Sequence, residues 1–363
     1  MRRGLAGLLM ITVLALFASA PAMADGPSFF GLLRARDLTP FGYLRLDMKP
    51  GYIGSLEPGR WAVDSEIAYQ NTWATSPEVE RYLNQLPGRR TLGPDEVQAI
   101  RDLPGENYLV DLELTQYDVT LNYQISSAWS AYTILSAASI GGGKLDGTIE
   151  GFHDLIDAPR FGRRAAARND VNLIFDLKSS QFTQLEARGY SGMLDPVFGA
   201  RYAFASETGR WKGSVESAVK VPLASRHDNL STGRTDVGVQ ASAQRYWHKQ
   251  ALYVSASAVY YAGADQFVPE PAQIIPTIVI GYERRVTQHT NLILQTYLSR
   301  SVYKQEQTTL NELRGTKYQI SGGFHHRRGP HLFSFAITEN IQNINNTPDV
   351  GMQLGYSLNP GWD

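Results

Sequence analysis

Apolar and polar residues alternate over runs of about ten, and such runs recur almost to the C-terminus; that limits the fold more than any other feature of the chain. In residues 211–221 one face reads Trp211, Gly213, Val215, Ser217, Val219, Val221, and the other Lys212, Ser214, Glu216, Ala218, Lys220. Residues 235–247 set Val237, Val239, Ala241, Ala243 and Trp247 against Asp236, Gln240, Ser242 and Gln244. The last run sets Val350, Met352, Leu354, Tyr356 and Leu358 against Gly351, Gln353, Gly355 and Ser357. A strand of a soluble sandwich is commonly about 5–6 residues long. Runs of about 10 suit a tilted strand crossing a bilayer. Many carry an aromatic near an end, among them Trp61, Tyr69, Trp129, Trp211, Trp247, Tyr260, Tyr282 and Tyr356. That placement fits aromatic girdles at two membrane interfaces. The alternative is a large secreted β-protein with scattered aromatics.

The N-terminus names the compartment. Arg2 and Arg3 precede an apolar run over 5–20, and Ala22-Met23-Ala24 offers small residues at the cleavage positions. This reads as a signal peptide over 1–24, cut after Ala24. The run is shorter than the roughly 20 residues of a membrane helix and is closed by Pro21. Without residues 1–24 the chain carries 32 basic and 35 acidic residues, a net charge of −3. Nucleic acid, which needs a clustered basic surface, is not an expected partner. The chain has no cysteine, which excludes disulfides and thiolate metal sites. No later segment offers 18 consecutive apolar residues, so any membrane residence is as a barrel.

Connection lengths indicate topology. Tight connections at 126–127, 207–209, 248–249, 286–289 and 329–330 alternate with long ones at 76–106, 141–192, 222–234, 263–272, 303–314 and 343–348. Short periplasmic turns and longer extracellular loops have this rhythm. Counting strands at 61–73, 108–125, 129–140 and 194–204, then eight more to Leu358, predicts an all-β fold. The expected form is an antiparallel transmembrane outer-membrane β-barrel of about 12 strands, with 14 possible. Segments 171–178 and 182–188 also look like strands and read as a hairpin projecting outside. Residues 25–58, with alternation at 43–49, precede the barrel of 59–363 as a lead-in or a plug in the lumen.

Residues 141–147, Gly-Gly-Gly-Lys-Leu-Asp-Gly, are followed by Ile149-Glu150, Phe152-His153, Gly162-Arg163 and Arg168-Asn169. This segment resembles the domain of unknown function 3187 family, which shares a GG-x-LD-x-x-I-x-x-(F/W)-H…GR…N pattern. Arg34–Pro40, the Gly59-Arg60-Trp61 strand entry, Lys220-Val221-Pro222 and the loop 231–236 are similar to the family as well. The resemblance implies an outer-membrane barrel and no particular activity. Two departures stand out. Ala165–Ala167 occupies the place where a Pro usually precedes the Asn, and Tyr356 and Leu358 lie several residues before the end, where outer-membrane barrels finish on an aromatic.

Catalytic patterns are absent: there is no G-x-S-x-G, no H-E-x-x-H and no EF-hand, and Leu145 follows Gly143-Lys144 where a P-loop needs Ser or Thr. His325 and His326 point to opposite faces of a strand and cannot share an ion. No catalytic residue, metal or cofactor is expected. The long loop 141–192 carries the best functional candidates. Ile149, Phe152 and Ile156 recur at helical spacing, which predicts a short amphipathic helix over 148–156 in an extracellular lid. Asp146, Glu150, His153, Asp154, Arg163, Arg168 and Asn169 are its polar groups, whether as ion pairs that hold the lid or as a ligand site. The lumen face carries Asp64, Glu66, Asp118, Arg201, Lys212, Glu216, Lys220, Asp236, Glu283 and Lys317, of both signs. These either pair with one another to fill the interior or line a path.

The expected function is a porin-like passive channel or uptake protein for a small solute. The alternatives are a lipid-modifying hydrolase using His153, or a structural or adhesive barrel without flux. Outer-membrane lipid and lipopolysaccharide are the expected partners, with the barrel-assembly machinery during biogenesis.

Overall fold

The computed structural model describes residues 29–51, 56–155, 161–185, 190–206, 211–225, 229–262, 273–342, 347 and 350–360. The segment read as a signal peptide lies outside the described residues, as do parts of several long connections and the side chains of Phe152, His153 and Leu155.

Twelve antiparallel strands close on themselves: β1 (Trp61–Thr75), β2 (Asn107–Gln124), β3 (Trp129–Gly141), β7 (Val197–Ala205), β8 (Trp211–Lys220), β9 (Asp236–Trp247), β10 (Gln250–Tyr261), β11 (Gln273–Arg285), β12 (Thr290–Ser299), β13 (Lys317–Arg328), β14 (His331–Gln342) and β15 (Val350–Leu358). Each pairs with the next, and β15 returns to β1 from Val63 opposite Leu358 to Asn71 opposite Val350. Closure leaves no open edge, the condition for a sheet surrounded by hydrocarbon.

Alternation along each strand sorts its side chains by face, and the sorting is inverted relative to a soluble protein. On β9, Val239 is 56% exposed, while its neighbour Gln240 is buried. Ile274 of β11 is 59% exposed, whereas Glu283 of the same strand is wholly buried. The outer face is the apolar one, as a lipid-facing wall requires. Aromatics gather on that face near the end where strands meet in short turns. Trp61 lies 4.6 Å from Tyr123 and Trp129 5.1 Å from Tyr202 between ring centroids, and Arg245 sits 5.1 Å over Trp211.

Three further strands extend the wall beyond the rim at the opposite, long-loop end. β4 (Asn172–Asp176) pairs with the first five residues of β2, and β5 (Gln181–Leu185) pairs with β4. β6 (Tyr190–Met193) pairs with the last residues of β3. The hairpin read at 171–178 and 182–188 is therefore outside the closed ring, and the ring has 12 strands. β6 had no clear signal of its own. Between β6 and β7 three steps along β3, from Ala137 to Ile134, face four on the partner, from Met193 to Val197. Pro196, which has no N–H to give a ladder, lies in that bulge.

A second layer covers the extension. The helix α1 (Pro77–Gln85) begins with Pro at its first turn and acidic Glu78 and Glu80, and buries Val79 and Leu83 one turn apart. α2 (Pro94–Arg101) has the same start, with Glu96 accepting the Gly93 amide at 2.9 Å, and buries Val97 and Ile100. These pack with Trp73, Leu109 and Ile174 into one apolar cluster. The spacing between strands predicts a plain loop over 76–106; its Ser-Pro-Glu and Gly-Pro-Asp-Glu starts are nevertheless helix signals. α3 (Asp146–Leu155) forms where the apolar spacing predicts a helix over 148–156.

Residues 29–51 are not part of the ring. They run inside it, from the short-turn end upward and back. The Phe30 and Gly31 amides donate to Glu283 at 3.0 and 3.2 Å, near the short turns. Phe41 lies at the tip, edge-on to Tyr108, Phe175 and Tyr303 at 6.3, 5.8 and 5.9 Å. A turn at 39–45, with Tyr43 N donating to Thr39 O at 3.0 Å, sends the chain back down. On the return the Leu46 amide donates to Asp236 at 3.0 Å, and Lys49 reaches Asp64. A final short helix, α4 (Asn311–Arg314), lies in the loop before β13.

Candidate functional site

The family-like segment folds into a knot of hydrogen bonds above the rim. Gly142 packs so close to the Asn169 carbonyl that a Cβ would meet its oxygen at 1.8 Å. Gly143 has φ +66, and a Cβ there would stand 1.1 Å from the Glu113 carboxylate. Only glycine fits both positions. The freed space lets the Lys144 and Leu145 amides donate to Glu113 at 2.8 and 3.1 Å. Asp146 accepts from Arg163 at 3.2 Å and from the Asn169 amide at 2.8 Å. Arg163 donates in turn to Asn71 Oδ1 at 2.9 Å and lies 5.3 Å over the Trp73 ring. Asn169 itself has φ 61, a conformation Asn tolerates better than most residues.

One turn along α3, Glu150 accepts Arg168 Nη2 at 2.6 Å and Nε at 3.0 Å, and also pairs with Arg89. Burial alone would raise its pKa. Hydrogen bonds and charge from Arg168 and Arg89 outweigh that and hold the carboxyl below its usual range. Asp154 is exposed, 3.9 Å from Arg164. The structure thus brings Asp146, Arg163 and Asn169 together, and Glu150 with Arg168, while Asp154 stands apart. His153 lies on α3, but its side chain falls outside the described residues. Asn71, Glu113 and Arg89 join the knot from remote positions, and no local motif marks them.

Inside the barrel, all ten lumen-face candidates stand on the inward side of their strands. Lys317 is wholly buried and pairs with Asp37. Lys220 pairs with Asp236 at 2.9 Å and donates to the Leu44 carbonyl. Arg201 donates to Glu216 at 2.6 Å, and Asp118 accepts from Arg34 at 3.1 Å and from Arg36. Glu66 accepts Gln353 Nε2 at 2.7 Å. Lys212 lies 5.7 Å over the Tyr246 ring. Four of these partners, Arg34, Arg36, Asp37 and Leu44, belong to residues 29–51, whose charged Arg34, Arg36, Asp37, Arg45, Asp47 and Lys49 the strand pattern alone does not single out.

Among the described residues, cavities lie between the inner segment and the wall. One, of about 190 Å³, lies at the short-turn end beside Arg34, Lys49, Asp64, Glu66, Asn122 and Arg201. Another, of about 40 Å³, lies deeper, behind the β6–β7 bulge. Arg34 lines both. Among the described residues no group of three or more His, Cys, Asp or Glu is placed to hold a metal ion.

No protein of curated function matches the chain. Among solved structures, the COG4313 outer membrane channel from Pseudomonas putida F1 is similar over 86% of this chain and 99% of its own, at 12% identity and a TM-score of 0.53. The P. putida toluene transporter TodX matches over 83% and 90% of the two chains at 8% identity, with a TM-score of 0.38. A Pseudomonas aeruginosa FadL homologue matches over 93% and 100% at 11% identity, with a TM-score of 0.34. The first of these likenesses shows the fold, that of an outer-membrane β-barrel. A family model described as "Protein of unknown function (DUF3187)" matches residues 104–359, from the edge of β2 through β15 and across the whole Gly-Gly-x-Leu-Asp knot, and the chain belongs to the DUF3187 family.

Proposed function

We propose that the protein is a passive outer-membrane channel or uptake protein for a small solute, gated by its own N-terminal segment. The short-turn end faces the periplasm, and the helical cap faces outside. The reading rests on one observation: six of the ten charged lumen groups, Asp64, Asp118, Lys220, Asp236, Glu283 and Lys317, bond residues 29–51, which no strand pairing holds in place. A barrel with a purely structural role would more simply fill its interior from its own wall, as small barrels do. Here the filling is a separate strap, anchored by Asp37–Lys317, Arg34 and Arg36 on Asp118, and Phe30–Gly31 on Glu283. Such anchors exchange with water or solute more readily than a buried strand ladder. A cavity already opens beside the strap at the short-turn end, so displacing the strap widens an existing path.

Planar-bilayer recording of the wild type and of a variant lacking residues 29–51 tests this. The wild type is expected to show small, flickering steps, and the variant large, stable ones. Absence of conductance from both, with heat-modifiable barrels on gels, would favour a structural or adhesive barrel.

A further inference from the structure

The inner cavity of about 40 Å³ has an unusual surplus. Arg34, Arg36 and Arg45 line it from the strap, and Lys220 from β8. The carboxylates around it are already engaged. Asp118 accepts from Arg34, Arg36 and Gln116 Nε2, the last at 2.7 Å. Asp47 accepts from Arg45, from the Tyr297 hydroxyl at 3.1 Å and from the Asp37 amide at 2.8 Å. Asp37 is taken by Lys317 and Thr39. Asp195 accepts the Leu223 and Ala224 amides, both at 2.9 Å, and the Ser231 hydroxyl at 2.7 Å. What is left over is donors. Arg34 Nη1, Arg36 Nε and Nη2 and Arg45 Nε are buried with no acceptor, against a single unmatched acceptor on the lining, Gln116 Oε1. The three arginine side chains are 6%, 4% and 1% exposed. Buried guanidinium N–H groups are costly to leave unmatched, and their planar fork suits an oxyanion.

We infer that these arginines form a carboxylate-binding site that makes the channel anion-selective. This rests on the channel reading and names the class of solute it serves. The cavity holds a head group and little more, since one water needs roughly 10–15 Å³ of the same kind of volume. The body of the solute extends into the larger cavity, which shares Arg34. Glu66, whose Oε2 is also unmatched, faces that larger cavity and not the inner one, so the charge preference is set at the arginines.

The test is the reversal potential in a potassium chloride gradient, for the wild type and for Arg34→Gln/Arg36→Gln/Asp118→Asn. Neutralising the aspartate with the arginines avoids stranding a buried carboxylate, and heat-modifiable migration checks that the variant folds. The wild type is expected to prefer chloride over potassium by about fivefold or more, as arginine-lined pores do, and the variant to lose that preference. A wild type that conducts without preference, or a variant that keeps it, overturns the site and leaves the channel standing. If neither the wild type nor the variant lacking residues 29–51 conducts, the channel reading falls; if only the wild type is silent, the strap is closed and the channel stands, and in either case melting in detergent decides the site. A rise in the unfolding temperature when acetate replaces a bulky sulfonate at constant ionic strength, present in the wild type and absent in the variant, supports it. An equal response in both overturns it.

Discussion

Asp37 and Lys317, 280 residues apart, form a fully buried ion pair that fastens the inner strap to the long-loop end of β13. Thr39 completes it, its hydroxyl donating to Asp37 at 2.6 Å and accepting from Lys317 at 3.2 Å. Removing one member strands a charge. Lys317→Met is expected to destabilise the strapped state by about 3–5 kcal/mol, whereas Lys317→Met combined with Asp37→Leu recovers most of that loss. Thermal unfolding followed by gel migration checks both. Equal stability of the single and double variants would show that the pair is not formed.

The cap should depend on Gly143. Gly143→Ala meets both a left-handed backbone and the Glu113 carboxylate. The strain and the lost Glu113 hydrogen bonds should cost about 1–3 kcal/mol, confined to the cap. Limited proteolysis should nick residues 141–192 in the variant while the barrel still shifts on boiling.

Acid should loosen the same region. Because the Glu150 pKa is lowered on folding, its contribution is present above the unfolded value and is lost as pH falls through the folded one. The window therefore lies below the ordinary glutamate value of about 4.3. Cleavage of the cap by an acid-active protease should rise across that window in the wild type. Glu150→Gln should give cleavage that hardly changes with pH there.

The outward face should behave as a lipid contact. Ile278, 45% exposed near the middle of β11, is a site where arginine should cost about 2–4 kcal/mol on folding into vesicles. Denaturant titration in lipid measures this, and a neutral outcome would argue against a membrane-spanning wall.

The ring was readable because its signal is local. Val237, Val239 and Ala241 against Asp236 and Gln240 declare two faces of a strand without reference to anything distant. The hairpin of β4 and β5 was readable for the same reason, and its place between a long loop and a Gly-rich turn told against a full crossing. The strap's pairings were not readable. Asp37 meets Lys317 across 280 residues and Arg36 meets Asp118 across 82, and nothing near Arg36 in sequence announces an acidic partner on β2. The cap knot was half readable: the Gly-Gly-x-Leu-Asp spacing stood out, but Glu113, around which it folds, stands on the outward face of β2 with Tyr117, and nothing local says what covers it there. Helices α1 and α2 show terminal signals that a loop reading of 76–106 passed over.

Fastening the strap is the sharpest check that it closes the charged lumen. Gly51 lies against Ser242, whose Cβ is 2.7 Å from where a Gly51 Cβ would stand, so the strap has to yield by about 1 Å to reach the roughly 3.8 Å of a disulfide, and the chain has no cysteine to interfere. Single-channel current through Gly51→Cys/Ser242→Cys, recorded oxidised and then with reductant, is the measurement. Only the smallest steps are expected while the bridge is closed, and larger openings once it is reduced. Identical currents in the two states would contradict closure by the strap.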